Sequence, residues 1–201
     1  MTKPTIVKDK IFEAAISLFN SKGYADTSIR DIAASAKANV STISYYFHNK
    51  QGLLEYSFVT FFEPYTQLLE KGLEQLEVDG AYVCLKNTVN KLMEYQYKHF
   101  TLTRFIWREL SIDKQIVREL MSTYFMRERH YFQKIMEAGV QSGEFKKISS
   151  RLFIIQLKGM MTMPFLNSIY MAEVWSVYFQ ERYYFENYKK QINDWIESLL
   201  V

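Results

Sequence analysis

The sequence predicts an all-α protein: an N-terminal three-helix domain of helix-turn-helix type followed by a larger helical domain. Three observations carry this. The 201 residues include only seven glycines and three prolines, so few positions interrupt regular backbone. Apolar side chains recur at spacings of three and four, the period of a single helix face. Residues 27–50 read as two short helices joined by a tight turn.

The elements follow in order. A first helix is predicted from about Val7 to Ser21, burying Ile11, Ala14, Ala15, Leu18 and Phe19 and stopping at Gly23. Thr27 or Ser28 then caps a helix whose inward positions are Ile29, Ile32, Ala33 and Ala36. The small alanines let the next helix approach closely. Asn39 stands at the N-cap position of that next helix, a cap worth ~1 kcal/mol, and Ile43 and Phe47 point inward from it. A long helix begins near Lys50 and carries Leu53, Leu54, Phe58, Phe61 and Phe62. Pro64 is expected to kink it or mark its break near the boundary between two domains, 5–65 and 66–201. Asp79–Gly80 marks a loop. Further helices are expected at about 82–98, 101–111, 114–140 and 149–163, with Gly139, Gly143 and Pro164 as punctuation. The last helix is expected to start near Ser176 and to run through Phe179, Tyr183, Tyr184, Tyr188, Ile192, Trp195, Ile196 and Leu199.

The second short helix leaves Ser41, Thr42, Ser44 and Tyr45 on its outer faces. Hydroxyls there can donate to phosphates and base edges, and a helix N-terminus favours an anion. Lys50 can reach a second phosphate. Such a surface suits a helix with one face in a DNA groove and the other locked into its own domain. The charge distribution supports the same reading. Residues 1–50 hold seven Lys/Arg against four acids, and the rest of the chain carries eighteen of each sign, so the whole surplus of +3 lies in the first fifty residues.

Residues 5–65 resemble the DNA-binding domain of the TetR family of bacterial transcriptional regulators. The matching pieces are Ile11–Phe12–Glu13–Ala14–Ala15 with Leu18–Phe19 and Gly23–Tyr24, then Thr27–Ser28–Ile29–Arg30–Asp31–Ile32–Ala33, then Tyr45–Tyr46–Phe47–His48–Asn49–Lys50. The resemblance implies a homodimer that binds a palindromic site on double-stranded DNA and controls transcription, as a repressor. It assigns base reading or positioning to Arg30 and to the exposed residues of 39–45, namely Asn39, Ser41, Thr42, Ser44 and Tyr45. Thr27, Ser28, Thr42, Tyr45 and Lys50 would hold phosphates, and Lys37, Tyr46 and His48 complete the candidate DNA-binding set. Two departures stand out. Lys37 occupies the turn position where the family usually has Gly, so the turn either carries a side chain at positive φ or takes another geometry. Ser44 replaces a commonly aromatic phosphate-contacting residue. The resemblance also implies that the two C-terminal helices pair with those of a second subunit. The aromatic stripe of 178–199 fits that pairing and equally fits a cover over the chain's own core.

Other chemistry finds little support. No run of eighteen apolar residues suggests a membrane span, and no signal peptide precedes the first charged helix. The single cysteine, Cys84, excludes an internal disulfide and fits a reducing cytoplasm, where a nucleoid-associated protein would reside. His48, His99 and His130 are scattered without partners at metal-ligand spacing. No phosphate loop, nucleophile elbow or paired-carboxylate motif occurs, so no catalytic residue, metal or cofactor is assigned and the chain is not expected to be an enzyme. The cluster Met160, Met161, Met163 and Phe165 suits either an adaptable wall of a small-molecule pocket or ordinary core.

A second resemblance runs through 102–113, 118–124, Gln156–Leu157–Lys158 and Met163–Pro164, together with Ile43–Ser44–Tyr45–Tyr46–Phe47. It is to TetR-like proteins of sporulating Bacillus that bind palindromes near the chromosome origin and act on the division protein FtsZ. On a helix starting at Lys114, Val117, Leu120, Met121 and Tyr124 form the inward stripe. Lys114, Arg118, Glu119, Ser122 and Arg129 then lie outside, as a solvated face or as a surface centred on Arg118 and Glu119 that a protein partner reads.

Overall fold

The computed structural model describes residues 4–112 and 115–201. Among these residues it contains eleven helices and no strand: α1 (Pro4–Lys22), α2 (Ile29–Ala36), α3 (Val40–Phe47), α4 (Lys50–Leu73), α5 (Leu76–Asp79), α6 (Ala81–Lys98), α7 (Phe100–Ser111), α8 (Gln115–Ser142), α9 (Ser150–Leu166), α10 (Ser168–Trp175) and α11 (Arg182–Leu200). The all-helical reading is confirmed. The chain forms two compact units, Met1–Phe62 with Thr101–Lys114, and Glu63–Phe100 with Gln115–Val201. Asp113 and Lys114, where one helix was expected to begin, lie outside the described residues.

In the first unit the periodic positions become the core. Ile11, Ala15, Phe19, Ile32, Ile43, Phe47, Leu53, Leu54 and Phe58 are all buried. Ala14, Leu18, Ile29 and Ala36 are only partly covered, at the margins of the buried faces of α1 and α2. Gly23, at φ 96°, ends α1 and donates its N–H to the Phe19 carbonyl at 3.1 Å. Most of α7 belongs to this unit. Phe105 stacks on Phe19 at 5.1 Å, Trp107 meets Phe61 and Phe62 edge-on, and Arg108 donates to the Phe19 and Asn20 carbonyls at the end of α1.

Pro64 neither ends nor breaks α4, which runs unbroken through it. An interior proline removes one N–H and costs ~3 kcal/mol. On the same helix Phe61, Phe62, Tyr65 and Leu69 are all buried, each contributing about 1.5–3 kcal/mol, so packing outweighs the lost hydrogen bond.

The second unit is built around Leu85, Val89 and Leu92 of α6, Met121, Tyr131 and Ile135 of α8, Phe153, Leu157 and Phe165 of α9, and Phe185, Ile192 and Ile196 of α11. Several boundaries differ from expectation. Pro164 lies inside α9 as Pro64 does inside α4. A further helix, α10, follows; it ends at Ser176, whose left-handed φ of 52° caps it, and the last helix starts only at Arg182. Asp79 ends a short helix, and Gly80, at φ 79°, joins it to α6. The Glu144 carboxylate caps α6 there, accepting from the N–H groups of Ala81 at 3.1 Å and Tyr82 at 3.0 Å; these bonds hold its pKa down.

Gly139 punctuates nothing. It sits within α8, and a Cβ there would lie 2.1 Å from the buried Phe145 ring. The helix ends instead at Gly143, φ 80°. Gly139→Ala is therefore expected to lower stability by about 2 kcal/mol through overpacking. Chemical unfolding of the variant beside wild type checks this.

Candidate DNA interface

The helix-turn-helix is assembled by local capping. Ser28 is the N-cap of α2: its hydroxyl oxygen accepts from the Asp31 N–H at 3.1 Å, and the Asp31 carboxylate accepts the Ser28 N–H at 2.8 Å, completing a capping box. Lys37 takes the left-handed conformation at φ 52°, ψ 44°, and the Ala38 and Lys37 N–H groups return to the Ala33 and Ala34 carbonyls in a Schellman turn. Of the two alternatives for this turn, the side chain at positive φ is the one adopted. Asn39 then stands at the N-cap of α3 with extended backbone, but its side chain makes no capping bond. The expected stabilisation from that cap is absent, and the exposed amide faces outward.

Below α3 lies an aromatic seat. Ile43 and Phe47 are buried; Phe47 and Phe12 both meet the Tyr56 ring edge-on, at 5.2 and 5.1 Å, and the Lys8 ammonium sits 4.0 Å from that ring. His48 ends α3 at φ 62°, and the Asn49 side chain accepts the Gly52 N–H at the start of α4. With its inner face held this way, α3 presents Ser41, Ser44 and Tyr45 to solvent, with Thr42 and Tyr46 half-covered. Tyr45 is 78% exposed and packs edge-to-face on Tyr46 at 5.0 Å. Arg30, Lys37, Asn39 and His48 are exposed on the same unit.

Two candidate residues occupy other roles. Thr27 is 1% exposed, and its hydroxyl donates to the Gly23 carbonyl at 2.7 Å, so it pins the turn after α1 and is not placed to meet a phosphate. The Lys50 ammonium donates to the Tyr24 and Ala25 carbonyls at 3.0 and 3.1 Å and lies 4.6 Å from the Tyr24 ring centre. It is a strut between the loop after α1 and the start of α4. One cation went unnoticed in the sequence. Lys10 of α1 lines a groove of about 740 Å³ together with Lys37, Asn39 and Thr42. Its membership in the N-terminal positive surplus was the available signal.

Asp31 is the acid of the α2 capping box. Its hydrogen bonds with Ser28, first through the side chain and then the backbone, bring its pKa down to about 2, with Lys22 at 3.4 Å contributing less. A depressed carboxylate pKa means that the capping box is fully formed above the ordinary carboxylate range and is lost as pH falls toward 2. Ser28→Ala should cost about 1 kcal/mol at pH 7. The difference from wild type should shrink in thermal melts taken between pH 4 and pH 2.

The Met160–Phe165 cluster divides. Met161 and Phe165 are core. Met160 and Met163 line an open groove of about 690 Å³ with Gln156, Gly159, Tyr188, Trp195 and Leu199. Arg118 and Glu119 are exposed near the start of α8, as their spacing predicts.

Residues 11–56 match the family model of bacterial regulatory proteins of the tetR family. The chain is 41% identical over 192 residues to the probable HTH-type transcriptional regulator YttP of Bacillus subtilis, spanning 96% of this chain and 93% of that protein. It is 39% identical over 78 residues to the biofilm operon icaADBC HTH-type negative transcriptional regulator IcaR of Staphylococcus aureus, which is 38% of this chain and 42% of that one. The fold matches the crystal structure of the TetR family transcriptional regulator PfmR from Thermus thermophilus with a TM-score of 0.76 at 19% identity, covering 96% and 97% of the two chains. The chain belongs to the tetR family of bacterial regulatory proteins, and α2 and α3 are its DNA-binding helix-turn-helix.

Proposed function

We propose that this regulator acts as a homodimer that binds a palindromic operator and represses the adjoining gene. The observation that carries the reading is the outward face of α3, where Ser41, Ser44 and the exposed Tyr45 are held rigidly by a buried inner face. Arg30, Lys37, Asn39, Thr42, Tyr46 and His48 surround that face and position the backbone or read base edges. Thr27, Ser28 and Lys50 fix the turns that aim α3.

Dimerisation is supported by α9, whose exposed positions Leu152, Ile155, Gln156, Gly159 and Leu166 follow the three-and-four spacing of one face. Ile155 is 67% exposed, and Gly159 leaves room for a facing helix. Leu199 of α11 and the open groove beside it extend the surface. Two-fold pairing brings two α3 helices to half-sites about one DNA turn apart. Repression is favoured by the similarity to IcaR, a negative regulator.

A second reading is a chromosome-bound regulator that acts on FtsZ, as RefZ does. It is favoured by the exposed pair Arg118 and Glu119 within the segment that resembles RefZ. Genome-wide mapping of binding sites separates the two. Sites upstream of one or a few genes, with raised transcription on deletion, support repression. Palindromes clustered around the replication origin, with no change in adjoining transcripts, overturn it in favour of the division role.

A further inference from the structure

The helix α10 is apolar on nearly every side. Its sequence is Ser-Ile-Tyr-Met-Ala-Glu-Val-Trp, and of these residues only Met171 is buried. Ile169, Tyr170, Val174 and Trp175 are exposed, Trp175 by 66%, and Tyr178 just beyond is half-exposed. Single exposed apolar residues are ordinary. Here five fall within ten residues, directly after Leu166, the exposed last residue of the α9 stripe.

We infer that α10 is an arm of the dimer interface and packs against a second copy of this chain. The inference rests on the dimer reading above and adds to it a surface that the α9 and α11 faces do not include. Area supports it. Aromatic side chains cover 150–250 Å² each, so the exposed parts of Tyr170, Trp175 and Tyr178 alone amount to roughly 300 Å², against the ~800 Å² per partner that a stable interface uses. Ile169 and Val174 beside them, and Leu152, Ile155, Leu166 and Leu199 of α9 and α11, add exposed aliphatic area. Together the two surfaces go beyond the scattered single apolar residues a lone soluble protomer usually exposes. A two-fold axis lets the arm of each copy seat on the other, and Trp and Tyr are the side chains that most often anchor such contacts.

Charge argues against a lipid surface as the occupant. Residues 159–181 contain no Lys or Arg and carry Glu173 and Glu181, whereas a helix lying on an anionic bilayer is rich in basic residues. Spanning is also disfavoured: α9 and α10 together are long and apolar enough, but they meet at a bend of 76°, and Phe153, Leu157, Met161 and Phe165 are buried within the unit.

The test uses the full chain at micromolar concentration. Sedimentation equilibrium is measured for wild type, Ile155→Glu and the double variant Tyr170→Glu with Val174→Glu, with circular dichroism to confirm helicity. Acrylamide quenching of wild type against Trp175→Phe isolates the Trp175 signal without disturbing the surface charge. The expected result is at least tenfold weaker dimerisation for the α10 variant, and Trp175 shielded in the wild-type dimer but accessible in Ile155→Glu. If the α10 variant dimerises as tightly as wild type and Trp175 is equally accessible in both states, the arm is refuted and the dimer stands. A monomeric wild type refutes both. Binding of wild type, but not of Trp175→Ser, to phosphatidylglycerol vesicles replaces the second copy with a membrane.

Discussion

Replacing Lys158 with Met is expected to lower the unfolding free energy by about 2–3 kcal/mol, somewhat less than the ~3–5 kcal/mol of breaking a fully buried ion pair, because this pair is partly exposed. Lys158 of α9 donates to the Tyr65 hydroxyl at 2.7 Å and to the Glu128 carboxylate at 2.5 Å, and Tyr65 donates to the same carboxylate oxygen at 2.7 Å. The three side chains tie α4, α8 and α9 together within the second unit. Lys158 and Glu128 are about one-fifth exposed, and Tyr65 is fully buried. Burial, and then the charge and hydrogen bond of Glu128, push the Tyr65 phenol well above its usual range, so it remains a neutral donor. Without Lys158 the carboxylate stays behind with its main countercharge removed, which is why the loss should exceed that of an exposed pair, typically under about 1 kcal/mol. The double variant Lys158→Met with Glu128→Leu should recover much of the loss, because replacing both partners leaves no orphaned charge. Denaturant unfolding of wild type, both single variants and the double variant closes the cycle. A Lys158→Met protein as stable as wild type would show that the triad contributes nothing net.

The sequence reading and the structure part company where local pattern is silent about direction. The core of the first unit was legible because Ile11, Ala15, Phe19, Ile32, Ile43 and Phe47 repeat at helical spacing and are buried where the spacing puts them. Both prolines expected to bend or stop helices proved compatible with helix, because buried neighbours on either side hold the backbone regardless of one missing donor. The helix α10 was missed for the opposite reason: with apolar residues on all faces it shows no phase to detect. Within the helix-turn-helix, Thr27 and Ser28 are adjacent hydroxyls, both able to cap a helix. Only the path of the chain sends one into the Gly23 turn and makes the other the α2 cap. Lys50 likewise matches a phosphate-binding position by residue type, yet the nearby Tyr24 and Ala25 carbonyls take its ammonium. Residue type was readable at each of these sites, and side-chain direction was not.

Tyr45→Ala should weaken operator binding by about 3 kcal/mol, roughly a hundredfold, if each half of the palindrome loses one hydroxyl contact of about 1.5 kcal/mol. Stability should barely change, because the ring is exposed and its main neighbour is Tyr46, whereas Phe47→Ala would unseat the helix at a cost of about 3–5 kcal/mol and destroy binding through the fold. The comparison therefore separates a contact from a support. Salt dependence separates it further. Tyr45 carries no charge, so the slope of affinity against salt should be that of wild type, while Arg30→Ala and Lys37→Ala should each flatten it, by about one phosphate per half-site. Lys37→Gly makes the same loss of charge and also relieves the left-handed backbone at φ 52°, so it should bind more weakly yet unfold at a higher denaturant concentration. Lys50→Ala should behave as the reverse of Lys37→Gly: its ammonium is engaged by the Tyr24 and Ala25 carbonyls, so stability should fall while the salt slope changes little. Fluorescence-anisotropy titrations on the mapped site at two or more salt concentrations, alongside unfolding curves, distinguish these outcomes. An unchanged Tyr45→Ala affinity at physiological salt would remove the exposed tyrosine of α3 from the DNA interface.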